Sequence, residues 1–328
     1  MRRIFFTVLC GLTLSGAARP ASGESFEFTT IAVPDSTATR VNGSNDAGQV
    51  VGSSELHGFL LSEGVFTLLD APGTMHPLFP GSTSAMGINE AGQIVGTLVD
   101  VRDRQEHGFL DTGGAFSRLD VPGSTFFTAA TDINDAGQVV GSFSDLQDLG
   151  GEHFFGGTHG FLYEDGIFSR FDISGSAATE VWGINNAGEL VGGFRDEGGE
   201  GFLGFLYRDG QITALDVPGS LNTVAHGINN AGQIVGQFDD DEGTHGFLWS
   251  RGRYTTLDAP GLIDFPGSTR GTVAMGIADA GDIVGFSFDA AGSRGFIAQP
   301  VPVAEPGTLM LMGAGLMGAL ACRRRQRM

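Results

Sequence analysis

The chain has 328 residues, no lysine, and 38 acidic against 18 basic side chains, for a net charge of −20. So acidic a surface excludes nucleic acid and anionic membrane as partners, because phosphate recognition needs a basic face. The two cysteines, Cys10 and Cys322, lie near opposite ends, which excludes a disulfide-stapled scaffold.

Taken in chain order, the first segment is Met1-Arg2-Arg3, an apolar run over 4–18, and small residues at Ala21-Ser22-Gly23. A basic start, an apolar stretch and a small-residue cleavage site predict a signal peptide over 1–23, removed by signal peptidase. The domain that follows, 24–300, holds 11 of the basic residues and 37 of the acidic ones, about −26 in all.

Within it one phrase recurs six times, clearest as Gly87-Ile88-Asn89-Glu90-Ala91-Gly92-Gln93-Ile94-Val95-Gly96 and Gly227-Ile228-Asn229-Asn230-Ala231-Gly232-Gln233-Ile234-Val235-Gly236. Its turn glycines are Gly48, Gly92, Gly137, Gly188, Gly232 and Gly281, at intervals of 44, 45, 51, 44 and 49 residues. A period of roughly 40–50 residues is that of a β-propeller with four-stranded blades. The fifth copy divides into candidate strands at 223–229, 233–238, 244–249 and 253–258, each rich in Val, Ile, Phe or Thr and bounded by Gly, Asn or Asp.

The Asn-Asn-Ala-Gly segment predicts a tight hairpin, since Asn bonds its own backbone and Gly accepts positive φ. Asn89, Asn134, Asn185 and Asn229 are accordingly read as turn formers. After each turn a Val precedes a glycine: Gly52, Gly96, Gly141, Gly192, Gly236 and Gly285. A glycine within a strand marks a close approach, and the candidate is the third-strand phenylalanine of each copy: Phe59, Phe109, Phe161, Phe205, Phe247 and Phe296. Six aromatics in one register would pack neighbouring blades together. The third strand opens with His57, His107, His159 and His245, replaced by Leu203 and Arg294 in the other copies. Spread over blades, these histidines read as hydrogen-bonding residues rather than one metal site. The fourth strand ends at Asp70, Asp120, Asp172, Asp216 and Asp258, most followed closely by Pro-Gly.

The sixth copy stops after Phe296 without a fourth strand, and the missing piece stands at the other end of the domain. Phe28-Thr29-Thr30-Ile31-Ala32-Val33-Pro34 matches Tyr254-Thr255-Thr256-Leu257-Asp258-Ala259-Pro260. An N-terminal strand pairing beside Phe296 would close a six-bladed ring and remove two sheet edges. Loops between second and third strands, over 100–106, 145–153, 196–200 and 239–242, are acidic and differ between copies. With the blade-to-blade connections they share one face, where binding function is expected. Asp239, Asp240, Asp241 and Glu242 offer hard oxygen ligands to Ca²⁺ without the spacing of an EF-hand.

The final segment, 301–328, carries an apolar stretch over 308–322 followed by Arg323-Arg324-Arg325-Gln326-Arg327. Fifteen apolar residues make a short span, and the arginines would hold its end in the cytoplasm.

The repeat phrase, with His-Gly-Phe-Leu following it, resembles the HAF repeats of extracellular bacterial proteins over about residues 26–298. The tail Val303-Ala304-Glu305-Pro306-Gly307, with its apolar run and Arg323, Arg324 and Arg325, resembles a PEP-CTERM sorting signal, although Ala304 stands where that family has its first proline. This resemblance implies a precursor held in the inner membrane of a Gram-negative bacterium by a transmembrane helix, cleaved by exosortase, and destined for the cell surface or extracellular matrix. It also implies a link to exopolysaccharide or biofilm matrix.

For function, the chain reads as a non-catalytic interaction platform for exopolysaccharide or envelope proteins. The alternative is a secreted glycan hydrolase or lyase using loop carboxylates such as Asp145, Asp196 and Asp240. No catalytic constellation and no cofactor site are found, and no acidic residue stands apart from its counterparts in the other repeats.

Overall fold

The computed structural model describes residues 25–74, 81–148, 153–196, 198–199, 201–262 and 270–301. Among these residues the chain is all-β, and no helix is present. The strands are β1 (Ser25–Ile31); β2 (Thr39–Ser44), β3 (Val50–Ser54), β4 (His57–Ser62) and β5 (Val65–Leu69); and β6 (Ser82–Ile88), β7 (Gln93–Val99), β8 (Glu106–Thr112) and β9 (Ala115–Leu119). Next come β10 (Thr128–Ile133), β11 (Val139–Asp148), β12 (His153–Glu164) and β13 (Ile167–Phe171), then β14 (Ser176–Ile184), β15 (Leu190–Asp196), β16 (Leu203–Arg208) and β17 (Gln211–Leu215). The last are β18 (Asn222–Ile228), β19 (Ile234–Asp240), β20 (Gly243–Ser250), β21 (Arg253–Leu257), β22 (Gly271–Ile277), β23 (Ile283–Asp289) and β24 (Gly292–Val301).

Each run of four from β2 to β21 is an antiparallel set, and β22, β23 and β24 take β1 as their fourth member. In that pairing Phe28 lies opposite Ala298, Thr30 opposite Phe296 and Ser25 opposite Val301. The first strands of successive sets touch one another, and β22 touches β2 in turn. They border one central space lined by residues of all six first strands, and β5, β9, β13, β17, β21 and β1 are the members of their sets farthest from those strands.

The hairpin after each first strand is built as its sequence dictates. At the second copy Asn89 N–H donates to the Gln93 carbonyl, Gly92 N–H donates back to the Asn89 carbonyl, and Gly92 takes φ of 74°. Asn89 thus belongs to the turn, and its counterpart Asn229 likewise lies just beyond β18 rather than inside it.

The strand glycines are dictated by packing. Gly236 lies opposite Phe247, and a Cβ on it would meet the Val224 carbonyl at 2.0 Å and the Phe247 ring at 2.8 Å. Phe247 is fully buried between its own set and Val191, Leu206 and Leu215 of the preceding one. Burial of such a ring stabilises by about 2–3 kcal/mol. The same contact joins the last set to the first, where Ile31 and Val284 pack against Val41, Val50 and Phe59.

A second device, which the sequence reading missed, ties each outer strand to the next inner one. Thr39, Thr83, Thr128, Thr179, Thr223 and Thr272 accept at Oγ1 the N–H of Val33, Ala71, Val121, Ile173, Val217 and Ala259, over 3.0–3.3 Å. Val33 follows β1 as Ala259 follows β21, so β1 is anchored like every other outer strand.

The connections between second and third strands differ from expectation at two places. β19 and β20 leave only Asp241 and Glu242 between them, and strand structure runs through most of 145–153 because β11 and β12 extend past their counterparts. The described parts of these acidic segments are paired strand and, at Asp241-Glu242, a two-residue turn.

Candidate functional site

Every first strand carries a bulge at the same position: the register slips at Asn42, Met86, Thr131, Trp182, His226 and Met275. A bulge places one extra residue against its partner strand and re-aims its side chain, here toward the central space. While the surrounding Thr, Gly and Asn positions repeat, this one takes five residue types among six copies. Asn42 and Thr131 are engaged with the next set, donating to the Ala85 carbonyl at 2.8 Å and the Val181 carbonyl at 2.9 Å. Trp182 and His226 meet edge to face at 4.9 Å between ring centres.

The bulge residues form a waist between two cups. On the face of the set-to-set connections lies a cup of about 350 Å³, bounded by Arg40, Glu180, Trp182, His226, Met275 and Phe286 among others. The Arg40 guanidinium sits 4.9 Å above the Phe286 ring, and Trp182 Nε1–H donates to Glu180 Oε2 at 3.2 Å. Burial raises the Glu180 carboxyl above its ordinary range, opposed by the Trp182 bond and by Arg195. His226 is 8% exposed; its Nε2 faces Gln237 Oε1 at 3.3 Å, and its Nδ1 has no hydrogen-bond partner among the described residues. Burial pushes the imidazole down to about 4, so it is neutral at physiological pH and, with Nε2–H donating to Gln237, Nδ1 is a bare acceptor.

The opposite cup, about 120 Å³, is polar and rimmed by the hairpins. Here two circuits of hydrogen bonds run around the axis. In the inner one the Nδ2 of Asn45, Asn89, Asn134, Asn185 and Asn229 donates to the carbonyl of the equivalent residue in the next copy, over 3.1–3.3 Å. Ala278 stands in the sixth copy, and the inner circuit has its gap there. The outer circuit is complete. The backbone N–H of Asp46, Glu90, Asp135, Asn186, Asn230 and Asp279 each donates to the side chain of the next in that order, ending with Asp279 N–H on Asp46 Oδ1 at 3.0 Å.

Asp132 corrects the expectation that no acidic residue stands apart from its counterparts. It occupies the place of Gly43, Gly87, Gly183, Gly227 and Gly276, and the signal was legible in Thr131-Asp132-Ile133-Asn134 set against Gly-Ile-Asn. Its carboxylate accepts the N–H of Ile133 at 2.9 Å and, across the set boundary, that of Ile184 at 3.0 Å. Gly87 of the preceding set leaves it room: a Cβ there would lie 2.8 Å from Asp132 Oδ1. Enclosure among backbone raises the carboxyl to about 7 despite those two bonds.

The residues singled out from sequence fall elsewhere. Asp239 accepts from Thr244 Oγ1 at 2.7 Å, and Asp240 accepts the N–H of Glu242 at 2.7 Å and of Gly243 at 3.2 Å, closing the β19–β20 turn. These bonds to backbone are the main cause that holds the Asp240 carboxyl below its usual range. Among the described residues no three His, Cys, Asp or Glu side chains are grouped as a metal site. The four third-strand histidines each bond the aspartate that ends the adjoining strand, His57 to Asp70 at 2.6 Å, His107 to Asp120 at 2.8 Å, His159 to Asp172 and His245 to Asp258 at 2.9 Å. On the far side of the ring, His107 meets Asp103 and His159 meets Asp145, so these imidazoles clamp a hairpin to a loop. Of the loop aspartates weighed for catalysis, Asp145 and Asp240 serve such contacts, and Asp196 ends β15.

Glu305, Pro306, Gly307, Arg323, Arg324 and Arg325, with the expected transmembrane helix, lie outside the described residues. Within the described residues no helix is long and apolar enough to cross a membrane. Residues 302–325 match the PEP-CTERM protein-sorting motif, the mark of an exported, membrane-passing precursor processed by exosortase. No curated protein matches the chain. Among solved structures, a gluconolactonase from Xanthomonas campestris is similar over 88% of this chain and 100% of its own, at 14% identity and a TM-score of 0.50. The β-propeller domain of the trilobed protease from Pyrococcus furiosus is similar over 86% of this chain and 94% of its own, at 10% identity and a TM-score of 0.42. At such identity the likeness to the gluconolactonase concerns the fold alone, an all-β, propeller-like one.

Proposed function

We propose that the exported chain is a six-bladed β-propeller, closed by its N-terminal strand, that serves at the cell surface or in the extracellular matrix as a non-catalytic platform for exopolysaccharide or envelope proteins. The closed reading rests on the β1–β24 register and on the outer hydrogen-bond circuit that returns from Asp279 to Asp46. The binding reading rests on one observation: at the waist a repeated scaffold presents a different side chain from nearly every copy. The position two residues earlier, Arg40, Ser84, Ala129, Glu180, Val224 and Val273, varies as widely, and five of those six line the same cup. Variation gathered at inward-facing positions of a repeated scaffold is the pattern of a site fitted to a ligand, whereas purely structural positions repeat. The resemblance of the repeat to those of extracellular bacterial proteins agrees with this.

The test is to purify the mature protein from the envelope and sediment it with the exopolysaccharide of the producing cell. Association at micromolar protein is expected. Loss of association with polymer and envelope extracts alike would refute the platform.

A glycan-acting hydrolase is the other reading. It needs two carboxylates free to face one glycosidic bond. Both Asp132 oxygens accept backbone N–H groups and Glu180 is held by Trp182, which favours binding over turnover. Release of reducing ends by the purified protein would reverse that preference. Calcium at Asp239, Asp240, Asp241 and Glu242 is a separate proposal, checked by calorimetric titration with CaCl₂.

A further inference from the structure

We propose that the cup on the connection face, between Trp182, His226 and Arg40, binds a single uncharged sugar ring, either a free monosaccharide or the end unit of a chain. This rests on the platform reading above and gives its ligand a chemical class and a place.

Four features of the cup select that chemistry. Its walls mix apolar and polar surface: Trp182, Phe286 and Met275 with Glu180, Gln237 and Arg40. A pyranose offers the same mixture, with a C–H face that packs on an aromatic ring and an equatorial rim of hydroxyls. The second feature is His226, which borders both cups and whose Nδ1 is buried without a hydrogen-bond partner among the described residues. A buried acceptor without a donor carries a desolvation cost of roughly 1–3 kcal/mol, which a ligand hydroxyl would relieve. Because the ring is neutral, it asks for an O–H rather than an anion.

The third feature is charge. Arg40 and Glu180 both border the cup, one charge of each sign, in a protein otherwise strongly acidic, so the cup as a whole favours neither cations nor anions. Fourth, small-molecule pockets run from roughly 300 to 1,000 Å³, and a cup of about 350 Å³ is at the lower end, enough to seat a sugar ring.

The chain's two tryptophans make the test direct. Trp182 borders the cup, while Trp249, partly buried, packs against the core cluster that joins two sets. The mature protein is titrated with D-glucose, D-galactose and N-acetyl-D-glucosamine, with cellotetraose as a chain-end probe and with D-glucuronate, chloride and copper salts as charged controls. The expected result is saturable binding of at least one neutral sugar by calorimetry, with a change in tryptophan emission that survives Trp249→Phe and vanishes in Trp182→Phe. His226→Gln should weaken that sugar at least tenfold. If His226→Gln does not fold, Ser84→Gln, which narrows the cup from its rim, replaces it with the same expectation.

Cellotetraose binding as tightly as its monomer identifies a chain end; binding of the monomer alone identifies a free sugar. No neutral sugar binding, binding unchanged in Trp182→Phe and His226→Gln, or binding only of glucuronate, chloride or copper would overturn the proposal. Polysaccharide association that persists in His226→Gln would remove the cup and leave the platform. Sugar in the cup without association with polymer or envelope would do the reverse.

Discussion

Asp132 and Gly236 illustrate two extremes of what a repeated position tolerates. At Gly236 an added methyl would strike backbone and a buried ring together, and neither can retreat. Gly236→Ala should therefore cost more than about 3 kcal/mol, read as a lowered denaturant midpoint. Asp132 holds a side chain where five copies have none, because the facing residue, Gly87, makes room. With its folded pKa raised to about 7 from 3.8, the folded state binds a proton that the unfolded chain has lost, so its contribution is present below pH 3.8 and disappears as pH rises through 7. The melting temperature of the native protein relative to Asp132→Asn should fall steadily between pH 5 and pH 8; a flat difference would contradict the assignment. His226 works in the other sense. Depressed to about 4, it resists a proton that the unfolded chain accepts below pH 6.5, and its contribution is lost as pH falls from 6.5 toward 4.

Among the elements, the hairpin turns, the strand glycines and the third-strand phenylalanines were legible because each is a local demand on one residue type, and six repetitions amplify it. The bulges were not, since an extra residue in an inner strand leaves no signature in alternation, and the side chains it re-aims look like noise in an otherwise regular repeat. Asp132, by contrast, was legible, since it alone puts a carboxylate where the other five copies have Gly before Ile-Asn or its variant. The asparagines were read as turn formers, which they are, yet each also reaches the next set, a contact that no single repeat can reveal. That dual role makes a prediction where the inner circuit fails. In Ala278→Asn the new Nδ2 should donate to the Asn45 carbonyl and the new Oδ1 accept from Asp282, raising stability by about 1 kcal/mol in chemical denaturation.

At the scale of the molecule, β1 covers what would otherwise be the bare edge of β24, and Phe28 lies edge-on to Phe296 at 5.2 Å. Removing residues 25–31 should expose that edge and give oligomers or aggregates in size-exclusion chromatography, since an open, apolar strand edge recruits others. A monomeric, cooperatively melting product would show that the seam is dispensable.

The position of that seam has a consequence for export. Ser25 and Val301 are cross-strand partners, so the two ends of the domain meet at one spot, and the sorting motif begins at the next residue, 302. The first strand to leave the translocation machinery must wait for the last, which keeps the domain incomplete until nearly the whole chain has crossed. Because β24 runs from the connection face toward the hairpin rim, the chain passes into the sorting motif at the rim, on the side of the domain opposite the larger cup.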